Sequence, residues 1–203
     1  MDNQYGIILL AAGASRRLGK PKQLLPYAGK TMLQHVLHTV LHERDAPVVL
    51  VLGSGASLYL RELDEERIFL AINTEWDQGM ASSIKCGLTA LLDKLPDIES
   101  VIIMTCDQPY ISGRVLDELV ETQQKTGKPI VASNYGETLG PPVISSSKYF
   151  PDLLELEGDS GARVIVMQHP DEVASIPFPE GKIDIDTQED YEALLKSNHT
   201  GTK

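Results

Sequence analysis

Residues 10–25 read Leu-Ala-Ala-Gly-Ala-Ser-Arg-Arg-Leu-Gly-Lys-Pro-Lys-Gln-Leu-Leu, directly after the apolar run Tyr5–Leu10 and ahead of an amphipathic helical pattern. Ala11, Ala12 and Gly13 have almost no side chain, so a ligand can reach the backbone N–H groups at the end of a first strand. Arg16, Arg17, Lys20 and Lys22 then put four cations into seven residues, the density that a triphosphate needs for neutralisation. The spacing fits neither the Gly-x-x-x-x-Gly-Lys-Ser/Thr loop nor the Gly-x-Gly-x-x-Gly dinucleotide fingerprint. By itself the string also fits a solvated basic turn. Its position between strand and helix points instead to a phosphate-gripping first loop.

Working outward, apolar runs alternate with helical patterns. Strands are expected at Gly6–Leu10, Val48–Leu52, Ile68–Ile72, Val101–Met104 and Ile130–Ala132. Helices are expected at Met32–His42, Leu58–Leu63, Ser82–Leu92 and Ser112–Gln124, the last with Ser112 as N-cap. The last third is less regular, with short strands at Pro141–Ser145, Val173–Ile176 and Ile183–Ile185 and helices at Gly161–Gln168 and Glu189–Leu195. Near-continuous apolar strands alternating with helices predict a three-layer α/β/α, Rossmann-like fold around a mostly parallel, mixed central sheet. Ligands then sit at the carboxyl ends of the strands.

With 203 residues, 42% apolar and 23% charged, the chain fits one domain over residues 1–196 and a frayed tail at 197–203. The net charge of −11 argues against nucleic acid and anionic membranes as partners. Small anions stay compatible, because loop cations act locally, within a Debye length of about 8–10 Å. No apolar stretch of eighteen residues and no basic-then-apolar leader precede or follow Tyr5, so a cytoplasmic location is expected. Cys86 and Cys106 form neither a disulfide framework nor a zinc motif. The acidic runs Asp64-Glu65-Glu66 and Glu155–Asp159 read as solvated surface.

Other constellations carry chemistry. Val101–Thr105 leads through Cys106 to Asp107-Gln108-Pro109, an aspartate at a strand's carboxyl end, placed to hold a magnesium ion or to form an Asx turn. Asp184 and Asp186 alternate onto one side of an extended segment, while Asp186 or Thr187 also fits as N-cap of the last helix, the role favoured for Asp186. Between a strand and a helix, Asn73 to Ser83 includes the sole Trp76, a turn at Gly79, and the hydroxyls of Ser82 and Ser83 at a helix start. That suits polar recognition of a base or ribose, and also ordinary capping by Ser82. Gly53-Ser54-Gly55 lacks a third glycine, with Leu58 in its position, and His35, His38 and His42 read as a solvated stripe rather than a zinc site.

Residues 10–22 resemble the signature Leu-Ala-Ala-Gly-x-Ser-x-Arg-Met-Gly-x-x-Lys of nucleotidyltransferases that move NMP from an NTP onto a phosphate, with Leu18 replacing Met. Asp107-Gln108-Pro109 resembles the metal-binding Asp-x-Pro of that group. Asn73–Ser83 is similar to Asn-Pro-x-Trp-x-x-Gly-Met-x-x-Ser, and Gly158–Arg163 to Gly-Asp-x-Gly-Ala-Arg. Gly140–Val143 resembles Gly-His-Pro-Val with Pro141 in the histidine position, and Asp184–Asp190 resembles Asp-x-Asp-Thr-Pro-Glu-Asp with Gln188 for Pro. Within the MobA-like NTP transferases, the chain therefore resembles the molybdenum cofactor cytidylyltransferase (MocA-like) family over residues 10 to 190.

The resemblance implies a nucleotidyltransferase fold and transfer of CMP from CTP to the phosphate of molybdopterin, with pyrophosphate released and Mg2+ as cofactor. It implies nucleotide contacts from Leu10, Ala11, Ala12, Gly13, Ser15, Arg17, Lys22, Asn73, Ser82 and Ser83. Lys22 would stabilise the α-phosphate, Arg17 would hold the β- and γ-phosphates, and Asp107 with Asp184 would hold the metal. Gly140, Asp159 and Arg163 would face the acceptor, and a molybdenum hydroxylase apo-enzyme would be a further partner. Pro141 carries no histidine role across. Ala12, where guanylyltransferase relatives have a second glycine, narrows the space beside the base and favours a pyrimidine. A sugar-phosphate or other alcohol-phosphate nucleotidyltransferase would use the same loop, and a non-catalytic cofactor chaperone would bind the pterin without turnover.

Overall fold

The computed structural model describes residues 5–42, 46–60, 63 and 67–200. Its elements run β1 (Tyr5–Ala11), the hairpin β2 (Pro26–Tyr27) and β3 (Lys30–Thr31), α1 (Met32–His42), β4 (Val48–Leu52), α2 (Ala56–Tyr59), β5 (Ile68–Ile72), α3 (Met80–Lys94) and β6 (Ser100–Thr105). Then follow α4 (Gly113–Thr126), β7 (Ile130–Asn134), β8 (Leu139–Ser146), α5 (Phe150–Glu155), α6 (Arg163–Gln168), β9 (Val173–Pro177) and α7 (Gln188–Thr200).

Seven strands form one sheet in the order β5-β4-β1-β6-β8-β7-β9, parallel except for β8, which is antiparallel to β6 and β7. The apolar runs pair because both of their faces are covered. Ile7, Leu9 and Ala11 face one core with α1, α4 and α7, while Ile8, Leu10 and Ala12 face the other with α3, α5 and α6. All five side chains of β4 are fully buried, each worth about 1.5–3 kcal/mol relative to exposure. This is the mostly parallel, mixed sheet between helical layers that the alternation predicts.

The chain runs from β1 out to β4 and β5, then returns to the other side of β1 for β6. That reversal opens a crevice at the carboxyl ends of β1 and β6, where Leu10 pairs with Thr105. The first loop and Asp107 therefore emerge side by side.

Three local readings differ. Ile183–Ile185 is no strand: residues 179–182 make a 3-10 turn, and of the three only Ile185 is buried, so the segment crosses the sheet end instead of pairing. The helix expected over Leu58–Leu63 is a short turn at Ala56–Tyr59, and residues 61–62, like the acidic run at 64–66, lie outside the described residues. Helix α7 continues to Thr200, across residues read as a frayed tail, and 201–203 lie outside the described residues. Ser112 caps α4 as expected, its Oγ accepting from the Val115 N–H. No described helix is long and apolar enough to cross a membrane.

Candidate active site

The first loop is shaped by a residue that carries no charge. Gln23 is fully buried, and its Nε2 donates to the carbonyls of Ala11 at 2.8 Å and Gly13 at 3.0 Å. Its Oε1 accepts from the hydroxyls of Tyr59 and Ser15. Ser15, held at φ +51°, also accepts from the Lys22 N–H at 3.0 Å. The Ser15 hydroxyl, expected at the nucleotide, is thus used within the loop, which it closes upon itself so that Lys22 projects inward.

Lys22 Nζ lies 2.5 Å from Asp107 Oδ2 and 3.3 Å from Asp186 Oδ1. Burial works against its ammonium, yet the Asp107 and Asp186 carboxylates outweigh that and raise its pKa above the ordinary lysine value. Asp186 also takes a 2.5 Å bond from Arg17, whose side chain is 71% exposed. Asp186 is therefore not the helix cap: Thr187 Oγ1 accepts from Asp190 N, and Asp190 Oδ2 accepts from the Asp186 and Thr187 N–H groups, a reciprocal cap. Asp184 is exposed, and burial together with Asp107 and Asp186 holds its carboxyl above the usual range. The four charged groups Arg17, Lys22, Asp107 and Asp186 meet at the mouth of the crevice, with Asp184 in their field.

A cavity of about 240 Å³ lies behind them, lined by Leu10, Ala11, Ala12, Gly13, Lys22 and Asp107 on one side and Trp76, Met80, Ser83 and Asp159 on the other. Ser83 Oγ accepts from Asn73 Nδ2 at 3.0 Å, which orients it at the wall. Asn73 and Ser82 do not line this cavity; they face a neighbouring groove of about 720 Å³ along α3. The Ser82 hydroxyl, expected at the nucleotide, bonds the Glu75 and Gly79 carbonyls and so closes the loop. Gly79 sits at φ +104°, and a Cβ there would collide with the Gly158 backbone, whose carbonyl accepts from Ala81 N at 3.0 Å. This close approach brings Asp159 to the cavity wall.

Of the other residues expected at the acceptor, Gly140 pairs with Ser133 in the sheet and Arg163 is exposed at the start of α6; neither lines the cavity. Cys106 forms part of the floor, its thiol pushed up to about 12 by burial and then by Asp107, so it stays neutral and is no nucleophile.

Residues 7–173 match the MobA-like NTP transferase domain. The chain belongs to the MobA-like NTP transferases. It is 31% identical to the nicotine blue oxidoreductase of Paenarthrobacter nicotinovorans, covering 93% of this chain and 95% of that one. It is 28% identical to the purine catabolism protein PucB of Bacillus subtilis, covering 94% and 95%. Among solved structures, Rv0371c of Mycobacterium tuberculosis in complex with manganese superposes with a TM-score of 0.77 at 26% identity, covering 96% and 99%.

Two supports of this MobA-like site are invisible in the sequence. Gln23 is the one buried residue of the short turn Lys22–Leu24, between a lysine and a leucine, and nothing in the local sequence marks it. His35, expected on a solvated stripe, is half-buried: its Nε2 bonds the Pro109 carbonyl at 3.0 Å and its ring meets Tyr27 edge-on at 4.6 Å. It braces the Asp-Gln-Pro turn from α1. His38 is exposed as expected, and the side chain of His42 lies outside the described residues.

Proposed function

We propose that the protein is a nucleotidyltransferase that moves CMP from CTP onto the phosphate of molybdopterin. An oxygen of the acceptor phosphate bonds to the α-phosphorus, the bond from that phosphorus to the bridging oxygen breaks, and pyrophosphate leaves. The observation that carries this reading is the Lys22–Asp107 pair at the mouth of a small cavity walled by the Ala11–Gly13 backbone.

Such a reaction needs positioning and charge neutralisation more than covalent help from the protein. Lys22 supplies a fixed positive charge to the α-phosphate, and Arg17, exposed beside Asp186, would turn from that carboxylate to the β- and γ-phosphates. The first-loop N–H groups add donors. Ser83, oriented by Asn73, offers its hydroxyl to the base, and Ala12 keeps the adjacent wall close enough to favour a pyrimidine.

Lys22 Nζ contacts carboxylate oxygens of Asp107 and Asp186, donors of the kind that suit a hard divalent cation such as Mg2+. Among the described residues no group of three His, Cys, Asp or Glu is placed to hold a metal, so substrate phosphates would complete its ligands. Crowding of Asp184 by Asp107 and Asp186 fits that use, since a cation would relieve it. Asp107 and Asp184 would hold the ion, which supplies charge neutralisation between the two phosphate-bearing substrates; the manganese complex of the mycobacterial neighbour is in keeping with this. Asp159, at the cavity wall, would face the acceptor; Gly140 and Arg163, which lie outside that wall, would contribute only to an acceptor that extends beyond it. A molybdenum hydroxylase apo-enzyme in the cytoplasm would receive the product.

The test is magnesium-dependent pyrophosphate release from CTP and, separately, GTP, with molybdenum-loaded molybdopterin as acceptor and Asp107→Asn as control. The reading expects release with CTP that is lost in the variant. Release favouring GTP counts against the pyrimidine assignment, and release with a sugar phosphate alone moves the acceptor. A second reading, oxidoreduction, is favoured by the name of one full-length relative. Reduction of nicotine blue by NADH or NADPH, without pyrophosphate release, would establish it instead.

A further inference from the structure

Gln108 follows Asp107 and is 4% exposed. Its Nε2 faces three acceptors on three different segments: the Tyr135 hydroxyl at 3.0 Å, the Pro141 carbonyl at 2.9 Å and the Gly181 carbonyl at 3.1 Å. Its Oε1 is buried and has no partner among the described residues. Turning the amide over would aim that oxygen at two carbonyls, so the network fixes its orientation. Tyr135 closes the hub by donating to the Pro141 carbonyl, and its ring packs where a Cβ on Gly181 would stand. The Tyr135 hydroxyl, pushed up to about 12 chiefly by burial, also feels the charges of Asp107, Asp184 and Arg163.

The consequence lies in chain distance. Asp107 precedes Gln108 by one residue, and Asp184 follows Gly181 by three. Residues 183–185 make no strand pairing of their own, so the bond to the Gly181 carbonyl is a direct tether between the β6 turn and the segment bearing Asp184. We infer that Gln108, with Tyr135, is a positioning residue that sets the separation of Asp107 and Asp184 so that both carboxylates face one divalent ion. This rests on the reading of those two aspartates as the metal-holding pair. A buried amide that bonds three separate segments fixes them relative to one another, and loss of outer partners of metal-holding groups typically changes metal affinity by about 10–100-fold.

The test is Mn2+ binding followed by electron paramagnetic resonance, with no turnover needed. Gln108→Leu, similar in size and without the amide, is expected to weaken Mn2+ binding at least about tenfold and to leave metal-free CTP binding within about twofold. Tyr135→Phe, which removes one hydroxyl, folds more safely and should shift Mn2+ affinity in the same direction by less. Gln123→Leu is the control: equally a buried glutamine, it bonds Ser100 and the Pro129 carbonyl at the opposite end of β6. It should lower the Tm without changing Mn2+ affinity. Wild-type Mn2+ affinity in Gln108→Leu and Tyr135→Phe, or equal weakening in Gln123→Leu, overturns the positioning role alone. Absence of Mn2+ binding by the wild-type protein overturns the metal reading, and the positioning role with it.

Discussion

The Lys22 ammonium and the Asp107 carboxylate meet at 2.5 Å across 85 residues of chain, with side chains only 15% and 16% exposed. The contact joins the loop after β1 to the turn after β6, the two strands on either side of the sheet's reversal. Asp186 touches the same ammonium at 3.3 Å, bringing in the segment before α7. A cation so held stays charged at any working pH and is already aimed into the crevice.

Replacing Lys22 by Met should therefore lower pyrophosphate release by about 10²–10³-fold, the usual loss for one positioned electrostatic contact. Lys22→Arg should rescue little, since a planar guanidinium does not fit where a point charge sits between two carboxylates. Steady-state kinetics with saturating CTP give the answer, and a variant within tenfold of wild type would remove Lys22 from the reacting centre.

Gln23 makes a different prediction, because it acts on the loop rather than on substrate. Gln23→Leu leaves the Ala11 and Gly13 carbonyls and the Tyr59 hydroxyl without their buried partner. Stability should drop by about 1–3 kcal/mol, and KM for the nucleotide should rise as the loop loses its shape. Urea unfolding beside a KM determination checks both. Unchanged stability would mean that water replaces the amide without cost.

What could be read from the residues, and what could not, follows from range. Val48–Leu52 is legible to the residue because burial on both faces leaves a continuous apolar run; Ile68–Ile72 is legible from its apolar run too, although it is an edge strand with Leu70 and Ile72 exposed. Lys22 and Asp107 were legible because charged residues beside small-residue turns have few structural uses. Gln23, His35 and Gln108 were not, since each is a polar side chain whose partners are carbonyls distant in the chain, and nothing local distinguishes it from a surface residue. The loop-closing bonds of Ser15 and Ser82 are illegible for the same reason: a hydroxyl that closes a loop and one that meets a ligand have the same sequence. Asp186 resembles a cap in sequence because Thr187 and Asp190, which do the capping, follow it within four residues.

His35 gives the protein a pH signature. Burial, with Lys30 nearby, lowers its pKa below the usual 6.5, although the bond to the Pro109 carbonyl opposes the shift. The unfolded chain then binds a proton at a pH where the folded chain does not. The stability contributed by His35 is complete above about 6.5 and is lost as pH falls from there through the lowered folded value. His35→Gln keeps a donor for Pro109 and cannot titrate, so its stability should fall less steeply over that window. Parallel stability–pH curves for the two proteins would refute this.

On the proposed reading, Ser83 distinguishes base recognition from phosphate binding. Its Oγ accepts from Asn73 and lines the cavity, whereas Asn73 keeps Ser82 as a second acceptor if Ser83 is lost. Ser83→Ala should raise KM for CTP by about tenfold, one hydrogen bond's worth, with little change in Tm or in inhibition by pyrophosphate. Titrations followed through Trp76, the sole tryptophan and itself at the cavity wall, read the binding directly. Equal weakening of CTP and pyrophosphate would place Ser83 at the phosphates instead.

The most direct test of nucleotidyl transfer follows the α-phosphorus itself. CTP labelled at that atom, incubated with magnesium and molybdenum-loaded molybdopterin, should deliver its label to a pterin-containing product in step with release of unlabelled pyrophosphate. Label recovered only as CMP, or remaining in CTP while pterin is bound, would contradict transfer at the Lys22–Asp107 centre.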